Sequence, residues 1–340
     1  MMTIENEGVV RLIAAVLGED EAGRIVSTLT PMVPARGEGN SDVTRAELAA
    51  AMNMLLFAGL LDRVPGAASY VADAVADSQR LCFDHGAIRT VALVDGDTGA
   101  LPRGELAFRR ILEPLGYEDA ARYPLPALRM TGRAYRHRDF PETIPQFFVS
   151  ELHVDRFDGE FGAVAKRVFG TSQDPLDADA KAALDRLASG GTMAFDAAAR
   201  LLPKLVAAFG RHHAPCTVAD YEDLRSVSAE AAWIATEGNA FNHATDRVPD
   251  VVAVADALRG AGRRIKDQVE VSRNGRVRQT ALLADLVERD FASETGETHR
   301  MRVPGSFYEF ISRDVDPDTG MLDLSFDSGN ATGIFHMTRP

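Results

Sequence analysis

At 340 residues the chain can bury a large core, and 46% apolar with 26% charged residues fits an ordinary globular protein. Its net charge of −13 argues against nucleic acid and anionic membrane surfaces, since both reward a basic patch. Two cysteines, Cys82 and Cys216, are too few for a disulfide scaffold or a Cys-rich zinc or iron–sulfur site, and neither has a base placed to make it a nucleophile.

The N-terminus carries no signal-peptide pattern. The longest apolar stretch, Ala49 to Leu61, contains Asn53, stops at Asp62-Arg63 and is shorter than the ~18 residues of a membrane span. A cytoplasmic protein is therefore expected.

Residues 1–80 read as helices packed on a core. Val9, Leu12, Ile13 and Val16 recur at helical spacing, residues 44–64 open on the polar Thr44, and Gly66 to Leu81 forms a further helix. Residues 81–160 change pattern. A β-branched run, Ile88 to Leu93, ends at Asp95-Gly96-Asp97, and Arg103 to Leu115 is an amphipathic helix closed by Gly116. Strands follow at Leu128 to Tyr135 and Gln146 to Phe157, with residues 122–127 supplying another, which gives β-α-β-β-β.

Residues 161–237 return to helix as an insertion: Asp177 to Leu187, Phe195 to Phe209 and Ser226 to Ile234. Residues 238–340 repeat the first unit. Ala240 to Thr245 is a strand and Asp250 to Leu258 a helix; Asp267 to Ser272 pairs with Val277 to Asp285 across the hairpin dipeptide Asn274-Gly275. Phe307 to Ser312 is the last clear strand, and the tail, Leu322 to Phe335, is a strand broken by a Gly-rich turn. The expected fold is α+β: two βαβββ units forming a strongly curved mixed sheet around a central metal cavity, with N-terminal and inserted helices, in one compact catalytic domain.

The chemistry sits in two matching segments. His85-Gly86-Ala87-Ile88-Arg89 and His243-Ala244-Thr245-Asp246-Arg247 each place an arginine four residues after a histidine. Glu309 follows His243 by 66 residues, and Glu151 follows His85 by the same 66. Two neutral imidazoles and one carboxylate can hold a divalent metal on one face and leave the opposite positions open, the arrangement suited to non-haem Fe(II). His85, His243 and Glu309 meet that demand if their strands are neighbours. Arg89, on the same strand face as His85 about 13 Å along, is suited to a substrate carboxylate. Arg247 reads as a structural ion pair.

Glu151, or His153 two residues on, offers an alternative or fourth ligand, which would favour non-redox chemistry. His137, His212, His213, His299 and His336 read as solvated or helix-end positions. The turn Ser328-Gly329-Asn330 presents backbone N–H groups to an anion or is an ordinary loop.

Phe83 to Thr90, Glu237-Gly238-Asn239-Ala240-Phe241-Asn242-His243-Ala244-Thr245-Asp246-Arg247 and Phe307-Tyr308-Glu309-Phe310 together resemble the 2-oxoadipate dioxygenase/decarboxylase family, related in fold to the vicinal oxygen chelate (glyoxalase-like) superfamily. The resemblance runs from about residue 80 to 340. It implies an Fe(II) enzyme of lysine catabolism that converts 2-oxoadipate and O2 to 2-hydroxyglutarate and CO2. Residue by residue it implies His85, His243 and Glu309 as metal ligands, Arg89 with the two histidines against the substrate, and a loose match of Gly329 to a backbone contact on the distal carboxylate. Two other readings stay open: a glyoxalase-like isomerase or lyase that uses another divalent metal without O2, and a non-catalytic small-molecule binding protein.

Overall fold

In a computed structural model that describes residues 6–36, 42–293 and 298–327, one eight-stranded sheet organises the chain. Its strands are β1 (Phe83–Ala92), β2 (Tyr117–Leu125), β3 (Met130–His137), β4 (Gln146–His153), β5 (His243–Arg247), β6 (Glu270–Val271), β7 (Val277–Ala281) and β8 (Phe307–Arg313). They lie in the order β2-β3-β4-β1-β5-β8-β7-β6. Read outward from the middle, β1-β4-β3-β2 and β5-β8-β7-β6 repeat one topology, and the sheet curls into a half barrel. The pairs β1–β4 and β5–β8 are parallel; the other pairs are antiparallel. Helices Leu106–Leu112 and Val251–Gly260 make the crossover in each half. The fold is the mixed α+β, duplicated βαβββ sheet that the sequence pattern indicates.

The two halves join at β1 and β5, where Gly86 lies opposite Ala244 and Ala87 opposite His243. Small residues are required there. A Cβ on Gly86 would stand 2.3 Å from the Phe241 ring, which packs behind the seam with Phe83 and Phe147.

One face of the sheet is covered by helix Arg45–Leu61. Thr44 accepts from the Glu47 N–H and the Glu47 carboxylate accepts from the Thr44 N–H, a reciprocal cap that fixes where the helix starts. The helix is buried nearly all round, as a core helix should be, and meets Phe83, Ile88, Phe147, Tyr308 and Phe310 from the sheet. Its one interior polar residue, Asn53, donates to the Ala49 carbonyl and to the Tyr117 hydroxyl. Burial in this core accounts for the apolar stretch. Among the described residues no single helix is long and apolar enough to cross a membrane, and the apolar pair Arg45–Leu61 and Pro65–Ala76 bends by 114°.

The inserted helices divide between two cores. Ala178–Gly190 and Phe195–Ala207 join the N-terminal helices, tied to them by the small antiparallel pair Asp42–Thr44 and Thr192–Ala194. Gly159–Phe169, Val218–Val227 and Ala229–Glu237 instead pack on Val91, Leu93, Met130 and Leu152 at the far end of β1, β3 and β4.

Local pattern misplaced several elements. β1 starts at Phe83, five residues before the β-branched run, because its early positions hold the chemistry rather than apolar residues. Helix Val218–Val227 and the hairpin Leu286–Phe291 with His299–Pro304 have no counterpart in the sequence reading. Of the expected tail strand, Leu322 bridges Val315 and the residues to 327 are irregular; the remainder, with His336, lies outside the described residues. His213 is buried and held neutral, with its pKa pushed down to about 4 by burial, rather than carrying charge at a helix end.

His137 is likewise fully buried at the end of β3. Its Nε2–H donates to the Leu115 carbonyl, and its Nδ1 accepts from the N–H groups of Asp139 and Phe140. Burial pushes its pKa down to about 4. The unfolded chain therefore takes up this proton first as pH falls below the usual imidazole value of 6.5, so its contribution to stability is present above that pH and is lost on the way down toward about 4. Denaturant titrations across that window are expected to show a shallower acid loss for His137→Gln than for the parent chain. Gly86→Ala is expected to cost about 1–3 kcal/mol in the same measurement through displacement of Phe241.

Candidate metal centre

Strand alternation decides which side chains meet. On the face opposite helix Arg45–Leu61, His85 of β1 lies across from Thr245 of β5, and Thr245 across from Glu309 of β8. His243, two residues before Thr245, shares their face. The histidine and glutamate ligand atoms all lie within 4.8 Å of one another. Glu309 Oε2 is 3.3 Å from His243 Nε2 and 4.0 Å from His85 Nε2, and the two imidazoles stand edge to face. All three are buried, and among the described residues this is the only such convergence of His, Cys, Asp and Glu.

The donor set fits a divalent cation. Burial lowers the pKa of both imidazoles, opposed for His85 by Asp84 and strengthened for His243 by having His85 and Arg89 as neighbours. Both are neutral at physiological pH, with a lone pair available. Burial pushes the Glu309 carboxyl up to about 8, against the pull of Lys266 and of the Thr245 hydroxyl. A carboxylate so placed gains from a cation at bonding distance.

Surrounding groups orient the donors. Asp84 Oδ1 accepts from His85 Nδ1–H at 2.8 Å, which leaves Nε2 to point at Glu309. Burial alone would raise the Asp84 carboxyl, but Arg313 and the His85 hydrogen bond hold it well below the usual carboxylate range. Arg313 grips both Asp84 oxygens at 2.9–3.1 Å, and Arg247 Nε lies 3.5 Å away, so Arg247 is engaged with Asp84. The Asn242 amide nitrogen, Nδ2, lies 3.1 Å from His243 Nδ1. A metal on His243 Nε2 would put the ring proton on Nδ1, and turning the Asn242 amide end for end would bring Oδ1 round to accept it.

Arg89 is fully buried on the same face, its guanidinium 4.9 Å from the Trp233 ring centre. Burial lowers its pKa to about 10, with Glu230 opposing, so it keeps its charge. Asn239 donates to the Arg89 carbonyl and pins the strand there.

Glu151 and His153 do not join the cluster. β4 is in register with β1 through Gln146 and His85, whereas β8 is in register with β5 through Phe307 and His243. The residue of β4 that corresponds to Glu309 is therefore Phe148. Glu151 lies three residues further on, an odd number, and faces the other side of the sheet. There it accepts from the Glu105 N–H and lies 3.4 Å from His153, while His153 Nε2 bonds to Thr131.

Gly329 lies outside the described residues. The segment before it crosses the centre and sets Phe326 edge-on against His85, 4.8 Å between ring centres, and against Phe148. Arg313 holds this segment through the Asp323 and Ser325 carbonyls, and Gln146 holds it through Leu324. Asp84, Arg313, Asn242 and Phe326 were missed from sequence. Only Asp84 and Asn242 left a signal, as polar residues immediately before each histidine.

A duplicated βαβββ sheet with two histidines and a glutamate at its seam places the chain among the glyoxalase-superfamily architectures. It superposes with a TM-score of 0.89 on a glyoxalase-superfamily protein from Ralstonia eutropha JMP134, 48% identical, covering 95% of this chain and 99% of that one. The chain belongs to the 2-oxoadipate dioxygenase/decarboxylase family, whose model matches residues 59–318. It is 24% identical over 294 residues to the chloroplastic 2-oxoadipate dioxygenase/decarboxylase of Arabidopsis thaliana, spanning 77% of this chain and 69% of that protein. It shares the fold of hydroxyglutarate synthase from Oryza sativa, crystallised with 2-oxoadipate, at a TM-score of 0.66, 19% identity, and coverage of 90% and 98%.

Asp84→Asn is expected to weaken divalent-metal binding about 10–100-fold, read by competition with a chelating dye. An unchanged dissociation constant would confine Asp84 to a role in folding.

Proposed function

We propose that the protein is an Fe(II)-dependent dioxygenase/decarboxylase that converts 2-oxoadipate and O2 to 2-hydroxyglutarate and CO2. The observation that carries this reading is the convergence of His85, His243 and Glu309 within 4.8 Å, on the sheet face that also bears Arg89. Membership of the family and the complex of the rice protein with 2-oxoadipate support the substrate.

In this reading His85, His243 and Glu309 would hold the iron. When bound, the iron would accept a 2-oxo acid as a chelating ligand and activate O2, which no side chain here can do. The balance is closed without an outside reductant. The substrate loses its own carboxyl as CO2, one atom of O2 completes the new carboxyl, and the other becomes the hydroxyl.

The chain's residues do the positioning. The hydrogen bond from His85 to Asp84 keeps Nε2 facing inward. Arg89, stacked on Trp233, offers two parallel donors to the substrate's 2-oxo carboxylate and so limits how the keto carbon is presented. Phe148 and Phe326 keep water from the His85 side.

A non-redox, glyoxalase-like reaction would be favoured by a fourth ligand from Glu151 or His153, and both face away from the trio. The deciding measurement is oxygen uptake and CO2 release by anaerobically iron-loaded protein given 2-oxoadipate. Neither appearing would end the dioxygenase reading. His85→Ala, His243→Ala and Glu309→Ala are each expected to abolish both signals and the bound iron together, whereas Arg89→Lys is expected to retain iron and raise KM, because an ammonium cannot fork onto a carboxylate.

A further inference from the structure

A single rung of the sheet runs through Gln146, His85, Thr245, Glu309 and Ala281 on neighbouring strands. It continues one step beyond β7. The Lys266 N–H donates to the Ala281 carbonyl at 2.9 Å, and the preceding residue, Ile265, bridges Leu282. Ile265 and Leu282 face the core under helix Arg45–Leu61, so Lys266, next in the alternation, faces the side of the metal ligands. The residue between Glu309 and Lys266 on that face is an alanine, whose methyl puts little bulk between them. Neighbouring strands lie about 4.8 Å apart, so the Lys266 backbone stands roughly 10 Å from that of Glu309, within reach of a long flexible side chain.

The ammonium is not at large in solvent. Lys266 Nζ is 2.7 Å from Glu270 Oε1, with the two side chains only 13% and 21% exposed. The other carboxylate oxygen, Glu270 Oε2, accepts from Gln279 Nε2 at 3.2 Å, and Gln279 lies opposite Ile311 of β8. The Lys266 charge reaches the trio, where it favours the ionised form of Glu309 and the neutral form of His243. Arg89 lies in the other direction, along β1. With Arg313 bound to Asp84, Arg89 and Lys266 flank the centre from two directions on this face of the sheet, which suits a ligand with two carboxylates.

We propose that Lys266 anchors the distal carboxylate of a dicarboxylic 2-oxo acid, which displaces Glu270 from the ammonium. This rests on the reading of the centre as a 2-oxo acid site. Glu270 shows how a carboxylate sits on Lys266, and Gln279 continues to hold Glu270 when the lysine turns away. The exchange trades one charge-assisted hydrogen bond of the ammonium for another and leaves Glu270, 21% exposed, on its bond from Gln279. Lys266 then selects a dicarboxylate over a monocarboxylate of the same chain length, while the metal and Arg89 hold the 2-oxo end common to both.

The test compares 2-oxoadipate with 2-oxohexanoate, which has the same carbon chain and no distal carboxylate. Binding to iron-loaded protein under anaerobic conditions is measured by calorimetry, and KM and kcat by oxygen uptake. In Lys266→Met the preference for 2-oxoadipate over 2-oxohexanoate is expected to fall about 10–100-fold, in Kd and in KM more than in kcat, with iron content retained. Lys266→Arg is expected to recover part of that preference. If Lys266→Met keeps the parent's preference and only its Tm falls, the pair with Glu270 merely fastens the sheet edge and the proposal is overturned. If the parent protein itself binds neither acid, the reading of the site falls and this assignment falls with it.

Discussion

Everything at the centre depends on the antiparallel contact between β1 and β5. His85 and His243 belong to different halves of the chain, and only the pairing of Gly86 with Ala244 sets their strands side by side. The contact tolerates little bulk, because Phe241 fills the space behind Gly86. Closing so long a loop costs conformational entropy, but that cost grows only logarithmically with length. A long helical insertion between the halves is therefore compatible with a well-fixed seam, provided that apolar burial holds the sheet. Helix Arg45–Leu61, packed across both halves on the face away from the histidines, supplies that burial.

The duplication is exploited unequally. Both halves contribute a histidine from the first strand of the unit, and only the second contributes the acid. In the first half the position that corresponds to Glu309 is Phe148, which packs on Phe326 beside His85. A symmetric pair of carboxylates would give four protein donors and little room for a chelating substrate together with O2. An apolar ring in place of the second acid leaves three protein donors and, with Phe326, lines the His85 side. The arginines have diverged in the same way. Arg89 lies against Trp233 with its charge kept, whereas Arg247 is drawn to Asp84, to the Glu142 carbonyl and to Cys82.

The repeated His-to-Arg spacing made the two strands and the three donors legible, since residue type and alternation are local properties. Register is not. The pairing partner of His85 lies 61 residues on, at Gln146, and that of His243 lies 64 on, at Phe307, a difference set by loop lengths within each half. That three-residue offset turns Glu151 to the opposite face although its count from His85 matches that of Glu309. Asp84 with Arg313, and Lys266 beyond β7, were hidden for a related reason: each acts through a partner on another strand. His137 was misjudged because charged neighbours alternate with it along β3 and faced solvent while it faced the core.

Charge makes the pairing requirements of such a site definite. A divalent cation on one carboxylate, with two neutral imidazoles, retains a single positive charge, and the 2-oxo carboxylate of a chelating substrate neutralises it. A second carboxylate on the same substrate gains nothing further from the metal, yet must leave water to enter, at a cost of several kcal/mol unless it finds a cation of its own. Of the cations described near the trio, Arg313 and Arg247 are engaged with Asp84, whereas Arg89 and Lys266 have Glu230 and Glu270 nearby. In the proposed site those acids would balance the two cations before a substrate arrives. They also mean that an incoming carboxylate must outcompete a resident one, so affinity depends on how readily the resident acid finds another donor. Gln279 already holds Glu270 by its second oxygen.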